Sequence, residues 1–190
     1  MAAPSSKTVT DLNGTWVLEL TIPKQGMSWI NRKVLSLGRI TLRMTQKRKE
    51  SIPSSAAIEG YGGGIYEVRQ LQTVNPGGFT AEDVYLLDGE MRESTVPIWG
   101  RVASRLRMCG SRTEVENIDM FKDGGGGDNA RAAEGAVIEE KTVSIGGGGW
   151  TSMLVWGFEE VAGERRFTQC CLTVKGETRQ QASIVYDYVA

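Results

Sequence analysis

The sequence predicts an all-β fold, an antiparallel up-and-down barrel of about 8–10 strands with one or two short helices. Three observations predict it. Apolar residues recur with a period of two along most of the chain, turn residues separate the strand patterns of the last third, and two short stretches alone have helical spacing. So many strands and so little helix favour closure, because a closed sheet leaves no exposed edge.

Taken in order, residues 12–20 open the strand series. Residues 38–48 put Ile40, Leu42 and Met44 on one face and Arg39, Thr41, Arg43, Thr45 and Lys47 on the other, the pattern of a half-buried strand. Residues 98–108 repeat it, with Ile98, Val102, Leu106 and Met108 against Arg101, Arg105 and Arg107. Further strand-like runs lie at 54–60, 65–74, 79–88, 91–97 and 113–121, and Asp88-Gly89 is a two-residue hairpin signal. Residues 150–160, 164–174 and 178–189 form three strand patterns divided by Ala162-Gly163 and Lys175-Gly176, hence two consecutive hairpins.

Helical spacing occurs at 27–37, through Met27, Ile30, Val34 and Leu37, and good helix formers fill 129–142. Gly124–Gly127 and Gly146–Gly149 flank the second segment. The chain therefore reads as one domain over residues 1–190, with residues 123–149 a glycine-flanked flexible insertion or lid.

Composition narrows the chemistry. Basic and acidic residues number 22 and 23, so no global positive charge favours nucleic acid. Histidine is absent, which excludes Ser-His-Asp and Cys-His nucleophile pairs, histidine zinc sites and an imidazole acid or base. Cys109, Cys170 and Cys171 are too few and badly spaced for a disulfide framework and read as reduced thiols of a cytoplasmic protein. No signal peptide or membrane-spanning apolar run is apparent. No metal or cofactor motif is present, and a monomer or homodimer is expected.

If Ala162-Gly163 and Lys175-Gly176 are two-residue turns, the barrel interior can be read off. Phe158 then pairs with Phe167, Trp156 with Gln169 and Leu154 with Cys171; Phe167 pairs with Ile184 and Gln169 with Ala182. One face carries Leu154, Trp156, Phe158, Phe167, Gln169, Cys171, Ala182, Ile184, Tyr186 and Tyr188. It is aromatic with one uncharged amide near its middle. Such a face either packs as a core or lines a ligand cavity. Trp16 reads as a floor residue. Trp29 lies on the short helix that would cap one end, and Tyr61 and Tyr66 flank Gly62–Gly64 at a mouth. Trp99 falls on the arginine face of its strand, either outward or marking the polar side as the lined one.

Several stretches resemble a known group. Leu12-Asn-Gly-Thr-Trp-Val17, Trp29-Ile-Asn-Arg-Lys33 with Ile40-Thr-Leu42, Gly149-Trp-Thr151 with Val155-Trp-Gly-Phe-Glu-Glu160, Gly163-Glu-Arg-Arg-Phe167 and Val185-Tyr-Asp-Tyr188 are similar to the lipocalin-like (calycin) proteins encoded among fungal natural-product biosynthetic genes. Residues 50–145 match least. Some members of that group are pericyclases, including Diels–Alderases, so the resemblance implies a lipocalin-like barrel and an enzyme of that kind.

A cycloaddition suits a chain without histidine, since it needs a folded substrate conformer rather than a nucleophile or proton relay. The expected activity is a cofactor-independent [4+2] cyclisation of a hydrophobic terpenoid or polyketide. Gln169, Tyr66 or Tyr186 would donate to a dienophile carbonyl. Trp29, Tyr61, Trp99, Leu154, Trp156, Phe158, Phe167, Cys171 and Ile184 would shape the cavity. Two competitors remain: a non-catalytic carrier of an apolar metabolite, and an acid/base isomerase or dehydratase using a carboxylate such as Glu67 or Asp187.

Overall fold

The computed structural model describes residues 1–25, 39–49, 65–76, 78–96, 100–116 and 135–189. Ten strands carry most of them: β1 (Gly14–Gln25), β2 (Arg39–Lys49), β3 (Ile65–Asn75), β4 (Phe79–Leu86), β5 (Arg92–Val96), β6 (Gly100–Cys109), β7 (Val137–Ser144), β8 (Trp150–Val161), β9 (Glu164–Lys175) and β10 (Thr178–Tyr188). A 3-10 turn at Arg112–Glu114 is the one helical element among the described residues. Trp29 and the helix expected at 27–37 lie outside them, as do Tyr61, Trp99 and the run at 54–60. No described helix is long and apolar enough to cross a membrane.

The strands form one antiparallel sheet in the order β4-β3-β2-β1-β10-β9-β8-β7-β6-β5. This is the up-and-down meander that the period-two patterning predicts, curled so that β1 pairs with β10 and the seam falls between β4 and β5. Curling brings Tyr85 of β4 edge-on to Trp156 of β8, with ring centroids 5.5 Å apart. The two ends of the sheet order thus share one interior.

Alternation decides what fills it. Leu42 and Met44 of β2, Val68 of β3, and Leu106 and Met108 of β6 are buried on the inner face. Trp16 is fully buried and donates its indole N–H to the Leu12 carbonyl at 3.0 Å. Its ring meets those of Phe158, Phe167 and Tyr188, so it is the floor residue expected. The preceding residues close that end, with Ala3, Val9 and Leu12 buried. Gln46 clamps them: its side chain accepts from Leu12 N at 2.8 Å and donates to the Val9 carbonyl at 2.9 Å. A buried amide bonded at both branches has its desolvation cost offset, so Gln46 holds the N-terminal residues against this end.

A second cluster lies on the outward face. Val155 and Met153 of β8, Cys170 and Leu172 of β9, and Val137 of β7 are buried there with Cys109 and Val115. These strands are therefore apolar on both faces. Cys170 faces outward and Cys171 inward, as adjacent strand residues must, and all three cysteines are free.

Five expectations change. Residues 137–142 are not helix but most of β7, bonded to β6 and β8 on either side, which removes them from the flexible lid expected at 123–149. Gly146–Gly149 is the β7–β8 connection rather than a hinge. Gly148 packs so tightly that a Cβ would sit 2.4 Å from Ser144 Oγ, to which its own N–H donates at 3.0 Å. Residues 113–116 are not strand: the 3-10 turn takes up the first of them. Asp88-Gly89 joins β4 and β5 but makes no hairpin. Arg92 grips the Asp88 carboxylate at 2.5 and 2.7 Å, and Gly89 N donates across the seam to Leu106 O at 2.8 Å. The chain is thereby handed from one edge of the sheet to the other.

The fifth change is a register. Ala162 and Gly163 both have positive φ, as a two-residue turn of the favoured hairpin type requires, and Phe158 pairs with Phe167 as predicted. The next hairpin turns at Gly176 and Glu177, so Phe167 pairs with Tyr186 and Gln169 with Ile184. The slip is two residues, an even number, so every inward side chain stays inward.

Candidate functional site

The inner wall of β8, β9 and β10 is laid down in tiers: Phe158, Phe167 and Tyr186; then Trp156, Gln169 and Ile184; then Leu154, Cys171 and Ala182. The first tier belongs to the floor. Phe167 is fully buried among the rings of Trp16, Phe158, Trp156 and Tyr186. Above it the wall keeps accessible surface at Leu154, Cys171 and Ile184 although all three face inward.

Glu140 of β7 and Tyr85 of β4 behave in the same way. Both are enclosed by protein, which desolvates them, yet both retain some accessible surface. They face a partly accessible recess of the barrel interior, above the floor tier that packs on Trp16.

The polar groups of this recess are few. Tyr186 donates its hydroxyl to Gln169 Oε1 at 3.0 Å, orienting the carboxamide with Nε2 as its donor branch. Burial pushes the Tyr186 phenol well up, so it stays a neutral donor. Trp156 donates Nε1–H to Glu140 Oε2 at 3.1 Å. Burial pushes the Glu140 carboxyl up to about 7, with the Asp83 charge adding to the rise and hydrogen bonds from Trp156 and Thr142 opposing it. Thr142 also shares a hydroxyl–hydroxyl contact of 2.9 Å with Ser104. Burial, then the charges of Glu140 and Asp83, hold the Tyr85 phenol far above its usual range. Burial also raises the Cys171 thiol, so it stays protonated beside Ser152 and Thr173.

Across from this wall, Gln70 of β3 stands on the inner face between Met44 and Asp83. It is 7% exposed, and its Oε1 has no partner among the described residues. An amide oxygen left without a donor costs on the order of 1–3 kcal/mol, so Gln70 is an acceptor awaiting one.

Of the sequence-derived candidates, the structure brings Gln169, Tyr186, Trp156, Leu154, Cys171 and Ile184 together, with Phe158 and Phe167 beneath them. Tyr66 faces the same interior from β3 but nearer the closed end, where its carbonyl accepts from Leu87 N at 2.9 Å. No bond joins it to the Gln169–Tyr186 pair among the described residues. The carboxylates of the acid/base alternative fall elsewhere. Glu67 is bound by Lys49 and Arg69, whose hydrogen bonds hold it below its ordinary value, and Asp187 by the N-terminus and Arg166. Glu67 alternates with the inward Tyr66 and Val68, and Asp187 with the inward Tyr186 and Tyr188, so both point out of the barrel.

Glu140, Gln70, Asp83 and Tyr85 escaped the sequence reading. Phe79, Ala81, Asp83 and Tyr85 do alternate with Thr80, Glu82 and Val84, and that signal was available. Nothing comparable marks Glu140, which follows another buried glutamate.

This geometry accompanies a likeness at the level of sequence. Over 99% of its length the chain is 27% identical to "Probable pericyclase scpY" of Mollisia scopiformis, covering 95% of that protein. The chain resembles a pericyclase from end to end. No family model matches it. Among solved structures it is similar to the zebrafish ileal bile acid-binding protein complexed with cholic acid, at 8% identity and a TM-score of 0.47, covering 93% of this chain and 98% of that one. As-p18, an extracellular fatty acid binding protein, is 12% identical with a TM-score of 0.45, over 93% and 95% of the two chains. At such scores the fold assignment rests on the strand order itself.

Proposed function

We propose that the protein is a cofactor-independent pericyclase, a Diels–Alderase that accelerates an intramolecular [4+2] cycloaddition of a hydrophobic terpenoid or polyketide intermediate in natural-product biosynthesis. The observation that carries this reading is the recess. Apolar and aromatic groups enclose a space whose polar lining consists of a few oriented donors and acceptors, and the chain resembles a pericyclase over its full length. Holding a flexible polyene in a reactive conformer removes entropy from the barrier, worth roughly 7–11 kcal/mol in the best oriented cases. A donor aimed at a dienophile carbonyl adds electrostatic stabilisation in a site that excludes water. Trp156, Leu154, Cys171 and Ile184 would set the shape of the folded substrate.

The test begins with deletion of the gene in its host and isolation of the metabolite that accumulates. Purified protein added to that metabolite is expected to give one stereoisomer of the cyclised product faster than the spontaneous reaction. Binding without acceleration would make the protein a carrier instead.

A further inference from the structure

We propose that the Glu140 carboxyl hydrogen-bonds the carbonyl of the bound substrate and is thus a catalytic residue of the cycloaddition. The inference rests on the pericyclase reading, and deepens it by assigning the donor to a residue on β7.

Three features of the geometry lead there. Glu140 is on the inner face, between Leu106 and Leu154 on the neighbouring strands, and lines the recess. Trp156 can only donate, so its bond makes Oε2 an acceptor and favours the acid proton on Oε1. The Thr142 hydroxyl also bonds the carboxyl, and has Ser104 as its other partner when a substrate carbonyl takes that proton. No cation offsets a charge here: Lys141 turns outward to Glu116, and no described Lys or Arg forms an ion pair with Glu140. The titratable groups that interact with it are Asp83 and Tyr85 from β4 and Cys171 from β9, none of them a cation. Burial and the Asp83 charge therefore favour the protonated carboxyl, the one form of the group that can donate. A carbonyl oxygen that gains negative charge in the transition state strengthens such a bond as the reaction proceeds. The substrate class follows: an apolar polyene whose dienophile is conjugated to a carbonyl.

Two measurements test this. The first needs no substrate. The indole 1H–15N resonance of Trp156, assigned by its loss in Trp156→Phe, is expected to shift with pH as Glu140 ionises and to stand still in Glu140→Gln. The second follows cyclisation of the metabolite that accumulates in the deletion strain. Acceleration is expected to fall as pH rises through the same transition. Glu140→Leu is expected to lose about 10²-fold in rate, the usual effect of removing one such donor. Glu140→Gln keeps a donor in place and is expected to stay within roughly tenfold of wild type with a flat pH profile.

A wild-type rate that ignores the Trp156 transition overturns the assignment and leaves the pericyclase reading standing. A Glu140→Gln variant as slow as Glu140→Leu also overturns it, since the group would then be transferring its proton. Absence of acceleration at any pH overturns the pericyclase reading itself.

Discussion

The Trp156 indole and the Glu140 carboxyl are hydrogen-bonded at 3.1 Å across adjacent strands, two residues out of direct register. Ile138 is the residue opposite Trp156, and Leu154 the one opposite Glu140, so the bond runs diagonally over the inner face. It ties the acidity of one residue to the packing of the other.

Trp156→Phe removes the donor and keeps an aromatic ring. A hydrogen bond to the ionised carboxylate favours ionisation, so its loss moves the Glu140 transition upward by about one pH unit. The infrared carbonyl band of a protonated carboxylic acid is expected to persist to higher pH in this variant. A stability cost of about 2 kcal/mol is expected in denaturant titration, from the smaller ring in a packed site.

Stability should respond to pH through the same group. Glu140 has a folded value raised from 4.5 to about 7. Its contribution is therefore fully present below the unfolded value and lost as pH rises through the folded one. A rise of roughly two and a half units corresponds to at most about 3 kcal/mol, less what residual solvent contact screens. Glu140→Gln carries no such loss. Denaturant midpoints are expected to show the variant gaining on wild type between about pH 5 and pH 8; a constant difference would mean that Glu140 ionises normally.

Glu139, its neighbour, predicts the reverse. It is fully buried on the outward face and bonded by Arg105, by Arg107 at 2.9 Å and by Glu116 N at 2.7 Å. Burial works against its charge, but those hydrogen bonds prevail and hold the carboxyl below its usual value. Its contribution is present above the unfolded value and lost as pH falls. Glu139→Ala strands the partners, with an expected cost of about 3 kcal/mol near neutral pH that shrinks in acid. The Trp156 indole shift, on the opposite face, should titrate as before.

These two glutamates also show where the sequence is legible and where it is not. In β2 the burial of Leu42 and Met44 between exposed Arg43 and Thr45 is the alternation that marks a half-solvated strand. The positive φ that Gly163 tolerates places the first C-terminal turn, and with it the wall of Trp156 and Gln169. In β7, by contrast, Val137, Ile138 and Glu139 are buried in succession, because an outer cluster covers the face that water usually takes. Alternation vanishes, and a run of Glu and Lys reads as helix by propensity alone. Asp88-Gly89 misled for another reason: its turn chemistry is local, whereas the Gly89–Leu106 bond comes from a strand distant in sequence. The recess inherits both failures, since Glu140 lies on β7, and Tyr85 and Asp83 lie on β4, the strand that leads into Asp88.

Gln70 supplies the last prediction. Its Oε1 is buried with no donor among the described residues, so the folded protein retains an unmet desolvation cost at that atom. Gln70→Leu has similar volume and removes the orphan along with the amide. The expected outcome is a stability unchanged or raised by about 1 kcal/mol, where loss of a satisfied buried amide would lower it by that much or more. Affinity should move the other way if a hydroxyl of the bound metabolite donates to Gln70, weakening by roughly tenfold for one neutral hydrogen bond. Calorimetric titration of the accumulated metabolite into both proteins measures this directly. A stabilised variant that binds as tightly as wild type would separate Gln70 from ligand recognition, while a destabilised one would mean that its oxygen is bonded in the folded protein after all.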